Sequence, residues 1–285
     1  MSTDSGVLLI NCPDQRGIVA AVSEFLYRAD GNILHADQHV DAELNLFFMR
    51  VEWALDGFQL PLDAFAAAFA PIADRFGMIW RLARSTARPR VALFVSKYDH
   101  CLADLLYRWR AGELRCDVAL VAGNHADARP LAEFHRVPFH HIPVGADHKD
   151  AAEVEALALL RREAIELVVL ARYMQVLSPA FVAEYRHRII NVHHSFLPAF
   201  VGAKPYHQAH QRGVKLIGAT SHYVTEQLDD GPIIEQATRR ISHRDQLDDL
   251  LQKGRELEQS VLSRAVRWHI ENRILIYGNK TVVFD

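Results

Sequence analysis

VALFVSKYDHCLADLLYRWRAG, residues Val91 to Gly112, decides the fold. Its first five residues are an unbroken apolar run of strand length closed by Ser96, and from His100 the pattern changes period. Leu102, Leu105, Leu106 and Trp109 then share one face of a helix, and Gly112 is a stop signal. A strand apolar on both faces followed at once by an amphipathic helix is the first half of a βαβ unit, which places helices on both sides of a parallel sheet. Downstream, CDVALVAGN, AAEVEALALLRREA and LVVLA continue the alternation as strand, helix and strand. Ser178-Pro179 reads as an N-cap with proline at the first helical position, opening a short helix that feeds RIINV. After residue 213, VKLIGATSHYV and PIIEQATRRI read as strands, DQLDDLLQKGRELEQSVLSRAVRWHI as a long amphipathic helix, and ILIYGNKTVVF as a hairpin turning at Gly278-Asn279.

Upstream lies a different pattern. VLLINC is a buried strand, and Pro13, Asp14 and Gly17 turn the chain into a helix with Ile18, Val22, Phe25, Leu26 and Ala29 on one face. NILHADQHV and LFFMRVEW read as strands, LDAFAAAFAPIADRF as a helix and MIWRLA as a last strand. This βαββαβ order predicts a ferredoxin-like unit over residues 1–84, with helices on one sheet face and the other face in want of a partner. RSTARPR, Arg84 to Arg90, is polar, basic and proline-containing. The expected division is therefore 1–84, a linker at 85–90, and an α/β domain with a mostly parallel sheet at 91–285.

Composition limits the function. The 285 residues are 50% hydrophobic and 24% charged, with a formal charge of -3, which implies no nucleic-acid partner and no membrane surface. Cys12, Cys101 and Cys116 show no paired spacing, the N-terminus lacks a basic start, and no run approaches the ~18 apolar residues of a membrane helix. A cytoplasmic setting is expected.

In an open α/β sheet, ligands bind outside the carboxyl ends of the strands, which draws attention to IINVHHSFLPAF, Ile189 to Phe200. Four readings stand open for it. A metal site is poorly served, because His193 and His194 would point to opposite sides of an extended segment, and His207 and His210 lack an HExxH arrangement. A Ser-His pair would need Ser195 in a nucleophile elbow, and the GxSxG pattern is missing. Asn191 and Ser195 could instead serve only their own turn. The fourth reading joins this stretch to GATSHYVTEQLDDGPII, Gly218 to Ile234. Together the two supply an amide, imidazoles and a carboxylate, the groups needed to stabilise an oxyanion and move a proton.

NVHHSFLPAF followed by LDDGPI resembles the folate-dependent formyltransferase family, and VLARYMQVLSP resembles its folate-binding loop. GAKPYHQAHQRGVKLIGATSHYVTEQLDDGPIIEQ is similar to the deformylase branch of that family, and NCPDQRGIVAAVSEFLYRADGNI resembles the ACT module that precedes the catalytic domain there. The resemblance implies Asn191, His193 and Asp229 as catalytic residues, with Ser195 and His194 in support, and Met174, Gln175, Leu177 and Gly202 as substrate-binding residues. His222 either supports Asp229 or is a buried structural histidine. The implied substrate is 10-formyltetrahydrofolate, with no cofactor required and no metal. Asn191 and His193 would hold the oxyanion and Asp229 would handle the water's proton; burial of Asp229 would raise its pKa and a charged His193 would lower it. An amino-acid effector at the ACT module and a homo-oligomer, dimer or tetramer, are also implied, as is a role in one-carbon balance and formate supply for purine synthesis.

Transfer and hydrolysis are separated by Val91 to Ala111, which contains no glycine and so lacks the loop that would cradle an acceptor's phosphate. Lys97 and His100 lie on this acceptor or water side. The missing cradle, His194 and Gln175 all resemble the hydrolytic branch. Formyl transfer to an amine such as phosphoribosylglycinamide, and a catalytically inactive folate or amino-acid sensor, are the alternatives.

Overall fold

The computed structural model describes residues 4–145, 148–199 and 205–285, and its chain divides into two compact units. The first runs to Ala87 and includes residues 271–277 and 281–285; the second holds Arg88–Ile270 and Gly278–Lys280.

In the first unit, β1 (Ser5–Pro13), α1 (Ile18–Arg28), β2 (Ile33–Asp41), β3 (Leu46–Ala54), α2 (Leu62–Phe76) and β4 (Ile79–Arg84) follow the expected order. The strands form an antiparallel sheet in the order β2-β3-β1-β4. The apolar faces of α1 and α2 close over one side, where Trp53 stacks on Phe65 at 5.4 Å between centroids and Phe69 packs alongside. Each such fully buried side chain contributes about 1.5–3 kcal/mol through removal from water.

The opposite face of this sheet meets a segment that the sequence reading placed in the other domain. Leu275, Tyr277, Val282 and Phe284 pack on Leu9 and Phe48, with the Tyr277 and Phe48 rings 4.5 Å apart. The expected extent of 91–285 is corrected accordingly: residues 271–277 and 281–285 belong to the first unit. The reason is apolar cover, because a two-stranded hairpin cannot bury its own apolar side chains.

The second unit carries β5 (Arg90–Val95), α3 (His100–Arg110), β6 (Asp117–Gly123), α4 (Arg129–Phe134), β7 (Phe139–His141), α5 (Lys149–Arg162), β8 (Leu167–Leu170), α6 (Pro179–Glu184), β9 (Ile189–His193), α7 (Pro205–Arg212), β10 (Leu216–Tyr223), β11 (Ile233–Arg240) and α8 (Leu247–Ile270). The closing hairpin is β12 (Ile274–Tyr277) and β13 (Lys280–Val283). Elements α4 and β7 are absent from the sequence reading; six and three residues are too few to establish a period.

The seven strands lie in the order β11-β10-β9-β8-β5-β6-β7. Pairing is parallel from β9 through β7 and antiparallel where β10 meets β9 and β11. From β5 the chain builds outward through β6 and β7, then returns to the other side of β5 to lay down β8 and β9. Loops leaving β5 and β8 therefore diverge, opening a crevice at their carboxyl ends. Ser96 ties them: its hydroxyl donates to Asn124 Oδ1 at 2.7 Å and accepts from the Met174 N–H at 2.9 Å. No helix among the described residues is long and apolar enough to cross a membrane.

Candidate active site

Asn191 and His193 are two residues apart on β9, so both side chains leave the same face of the strand. Across the antiparallel pairing, His222 on β10 sits opposite Asn191, and Thr220 opposite His193. The loop after β10 then folds back and delivers Asp229. This return depends on Gly231: a Cβ there would lie 1.7 Å from the Tyr223 carbonyl oxygen. Asp229 itself adopts a left-handed conformation, φ 57°, which aspartate tolerates better than most residues.

These residues converge. His193 Nδ1 is 3.1 Å from Asp229 Oδ2, the side chains being 5% and 8% exposed. A carboxylate only accepts, so the imidazole proton is on Nδ1. His222 Nδ1 lies 2.9 Å from the Tyr223 carbonyl oxygen, which likewise fixes a proton on that nitrogen. Its Nε2 is thereby an acceptor for Asn191 Nδ2 at 3.2 Å. One Asn191 N–H is thus anchored and the amide is held in one orientation. His222 Nε2 to Asp229 Oδ1 measures 3.8 Å, too long for a hydrogen bond, so the hydrogen bond of this nitrogen is with Asn191 and its effect on Asp229 is electrostatic.

Electrostatics follow from burial. Burial acts to raise the Asp229 pKa, but the hydrogen bond from His193 and the neighbouring His193, His222 and His194 rings outweigh it and hold the carboxyl below its ordinary value. The competition left open by the sequence is decided for the histidines. Burial lowers the His222 pKa despite the Tyr223 carbonyl and Asp229, so this ring is neutral at pH 7. His194 is pushed down to about 4, by burial first and by the Arg172 guanidinium second.

The His193 and His194 rings do not diverge as an extended strand would require; their centroids are 5.1 Å apart, because β9 ends at His193 and the chain bends. Ser195 donates its hydroxyl to the Ala199 carbonyl at 2.5 Å, and Thr220 Oγ1 donates to the Ser195 carbonyl at 2.8 Å while accepting from the Leu197 N–H at 3.0 Å. These bonds shape the loop, a role for Ser195 as a turn-former. Gly202 lies outside the described residues.

One cavity of about 260 Å³ unites the groups: Asn191, His193, His222 and Asp229 line it together with Met174, Gln175 and Leu177. Val176 and Leu228 add apolar surface, suited to a flat ring system. Lys97 is exposed and does not line this cavity, and neither does His100.

His100 serves a second cluster that sequence reasoning missed. Glu258 on α8, 1% exposed, takes His100 Nε2 at 2.8 Å and the Tyr206 hydroxyl at 3.0 Å, and Arg172 Nε lies 3.4 Å away. Burial opposes ionisation of Glu258, but the His100 hydrogen bond and the Arg172 charge prevail and lower its pKa. In sequence, a lone glutamate in an amphipathic helix looks like any solvated position, so nothing singled it out. Among the described residues, His100, Cys101 and Glu258 are the one group with clustered metal-ligand atoms. The donor set does not suit a cation: Glu258 is already paired, Arg172 is adjacent, and burial raises the Cys101 thiol well above its ordinary pKa.

Comparison with known proteins agrees with both units. A profile described as Formyl transferase matches residues 89–266, and one described as ACT domain matches residues 6–68. The formyltetrahydrofolate deformylase of Synechocystis is 53% identical over 284 residues, covering 100% of both chains. That of Bacillus subtilis is 49% identical, covering 99% of this chain and 94% of its own. The crystal structure of a formyltetrahydrofolate deformylase from Pseudomonas syringae superposes with a TM-score of 0.98 at 51% identity, covering 100% of this chain and 96% of that one. A glycinamide ribonucleotide transformylase from Symbiobacterium toebii gives 0.66 at 31% identity over 70% of this chain and 95% of its own. Similarity of this extent through both units shows that the chain belongs to the formyltetrahydrofolate deformylase family.

Proposed function

We propose that the cleft hydrolyses 10-formyltetrahydrofolate to formate and tetrahydrofolate, with Asn191, His193 and Asp229 as catalytic residues. The observation that carries this reading is the convergence of those three side chains on one cavity that Met174, Gln175 and Leu177 also line.

The substrate's formyl group is a formamide. Attack by water places negative charge on its oxygen, and the second Asn191 N–H, not engaged by His222, donates to it; a single such donor is worth roughly 2.7–4 kcal/mol in rate. The His193 ring provides the second contact. Asp229 is a carboxylate at neutral pH and holds His193 through Nδ1, so the two act as one proton-handling unit beside the water. One water proton passes to the departing tetrahydrofolate nitrogen. His222 keeps the Asn191 amide in register, and His194 and Ser195 set the wall and the turn of the loop.

Water is the acceptor because the loop after β5 offers no glycine-built phosphate cradle; Tyr98 packs against Arg172 there, with the guanidinium carbon 5.7 Å from the ring centroid. His100 contributes by anchoring Glu258, and Lys97 is exposed. The same reading includes a cytoplasmic setting, no required cofactor, supply of formate for purine synthesis, a homo-oligomer, and an amino-acid effector near Cys12–Ile18 of the ACT unit.

Incubation of the purified protein with 10-formyltetrahydrofolate and no amine should release formate and tetrahydrofolate in equal amounts. Strict dependence of turnover on phosphoribosylglycinamide would overturn hydrolysis.

A further inference from the structure

Arg172 is not used by the mechanism above, and its surroundings are unusual. It follows β8 with φ 63°, a left-handed conformation that side-chain-bearing residues seldom adopt. Its side chain is 11% exposed and lines the catalytic cavity together with His193 and His194. Glu258 Oε2, 3.4 Å from Nε, balances charge without hydrogen-bond geometry, and the acceptor capacity of Glu258 goes to His100 and Tyr206. Nε and Nη1 of Arg172 are buried and have no hydrogen-bond acceptor among the described residues. Those two N–H groups are closed to water and to any ligand, but without acceptors they leave the guanidinium charge under-compensated, and the part of the side chain that lines the cavity presents that charge to an anion there.

We propose that Arg172 is the binding group for a small carboxylate in this cleft, namely the formate produced there. This rests on the cleft being the hydrolytic site.

The chemistry distinguishes what enters from what leaves. Water adds to the formyl carbon, forming a C–O bond; the C–N bond then breaks with its electron pair remaining on nitrogen, which takes one proton. The other water-derived proton is released, so the one-carbon fragment departs as HCOO⁻. A neutral formamide enters and an anion forms, and only the anion has charge for a fixed guanidinium to meet. The Asp229 carboxylate, which lines the same cavity, repels that anion. His194, neutral at pH 7, does not compete for it. Glu258 beside the guanidinium keeps the attraction moderate, as befits a product that must leave.

Steady-state rates of the full-length enzyme would be measured against sodium formate, with sodium chloride at equal ionic strength as control. Wild type should be inhibited by formate beyond the chloride effect. In Arg172→Gln the formate inhibition constant should rise about tenfold or more relative to the chloride control, the equivalent of one charge-assisted hydrogen bond. Equal formate inhibition in both enzymes, or a wild type that formate inhibits no more than chloride, would overturn the proposal. Should Arg172→Gln not fold, wild-type crystals soaked in formate decide: a formate oxygen within hydrogen-bond distance of Arg172 supports it, and formate absent from the cleft overturns it. Asn191→Ala separates this inference from the reading beneath it. If that variant loses turnover while Arg172→Gln keeps normal formate inhibition, only the formate site fails; if it retains full turnover, the catalytic reading fails.

Discussion

His222 faces Asn191 across the β9–β10 pair, and with its proton committed to the Tyr223 carbonyl it receives the Asn191 amide at 3.2 Å. The Asn191 amide is thereby oriented by a neutral ring rather than by a charge. The coupling is testable. Asn191→Ala should lower kcat by roughly 10²–10³, the loss of one oxyanion donor, with little change in KM. His222→Ala should cost less, and the double variant should be no slower than Asn191→Ala alone. Additive losses in that cycle would show that His222 acts through another route.

Asp229 is held below the ordinary carboxylate pKa, so it remains ionised throughout the neutral range. Asp229→Asn keeps the side-chain shape but leaves His193 without its anion. Its kcat should fall by about 10² or more, in the range of general acid–base contributions, with the melting temperature near that of wild type. A wild-type rate would remove Asp229 from the proton path.

His194 has a folded pKa of about 4 against an ordinary 6.5, and the His222 pKa is also depressed. The unfolded chain therefore binds more protons than the folded one between those values, so stability falls as pH drops from 6.5 toward 4. Arg172, His193, Glu258 and Asp229 surround His194, and the two carboxylates are held below their ordinary values. For His194 alone the loss is about 3 kcal/mol across this window. Chemical denaturation of His194→Gln should show a flatter slope between pH 6.5 and 4 than wild type; an unchanged slope would mean that the ring is protonated in the fold.

Gly231→Ala places a methyl against the Tyr223 carbonyl that also holds His222. The Asp229 loop must then lift. A stability loss of about 3 kcal/mol, the upper end of overpacking costs, should accompany loss of most turnover. Unchanged activity would show that the loop reaches the site without this close approach.

The sequence by itself determined the element order in both units, because apolar residues recurring at strand or helix period need no tertiary information to be read. It also singled out the residues proposed for catalysis: Asn191 and His193 two apart on one strand, and Asp229 in the turn after the next. Three things were decided only in three dimensions. The closing hairpin joined the first unit, since bare apolar faces find cover by shape and area rather than by chain position. The direction of the Asp229 pKa shift depended on how many imidazoles surround it, a matter of ångströms. Glu258 and Arg172 became neighbours although one lies on α8 and the other follows β8; a single charged residue in a periodic segment carries no local mark, and only packing reveals that its charge is buried and what it meets there.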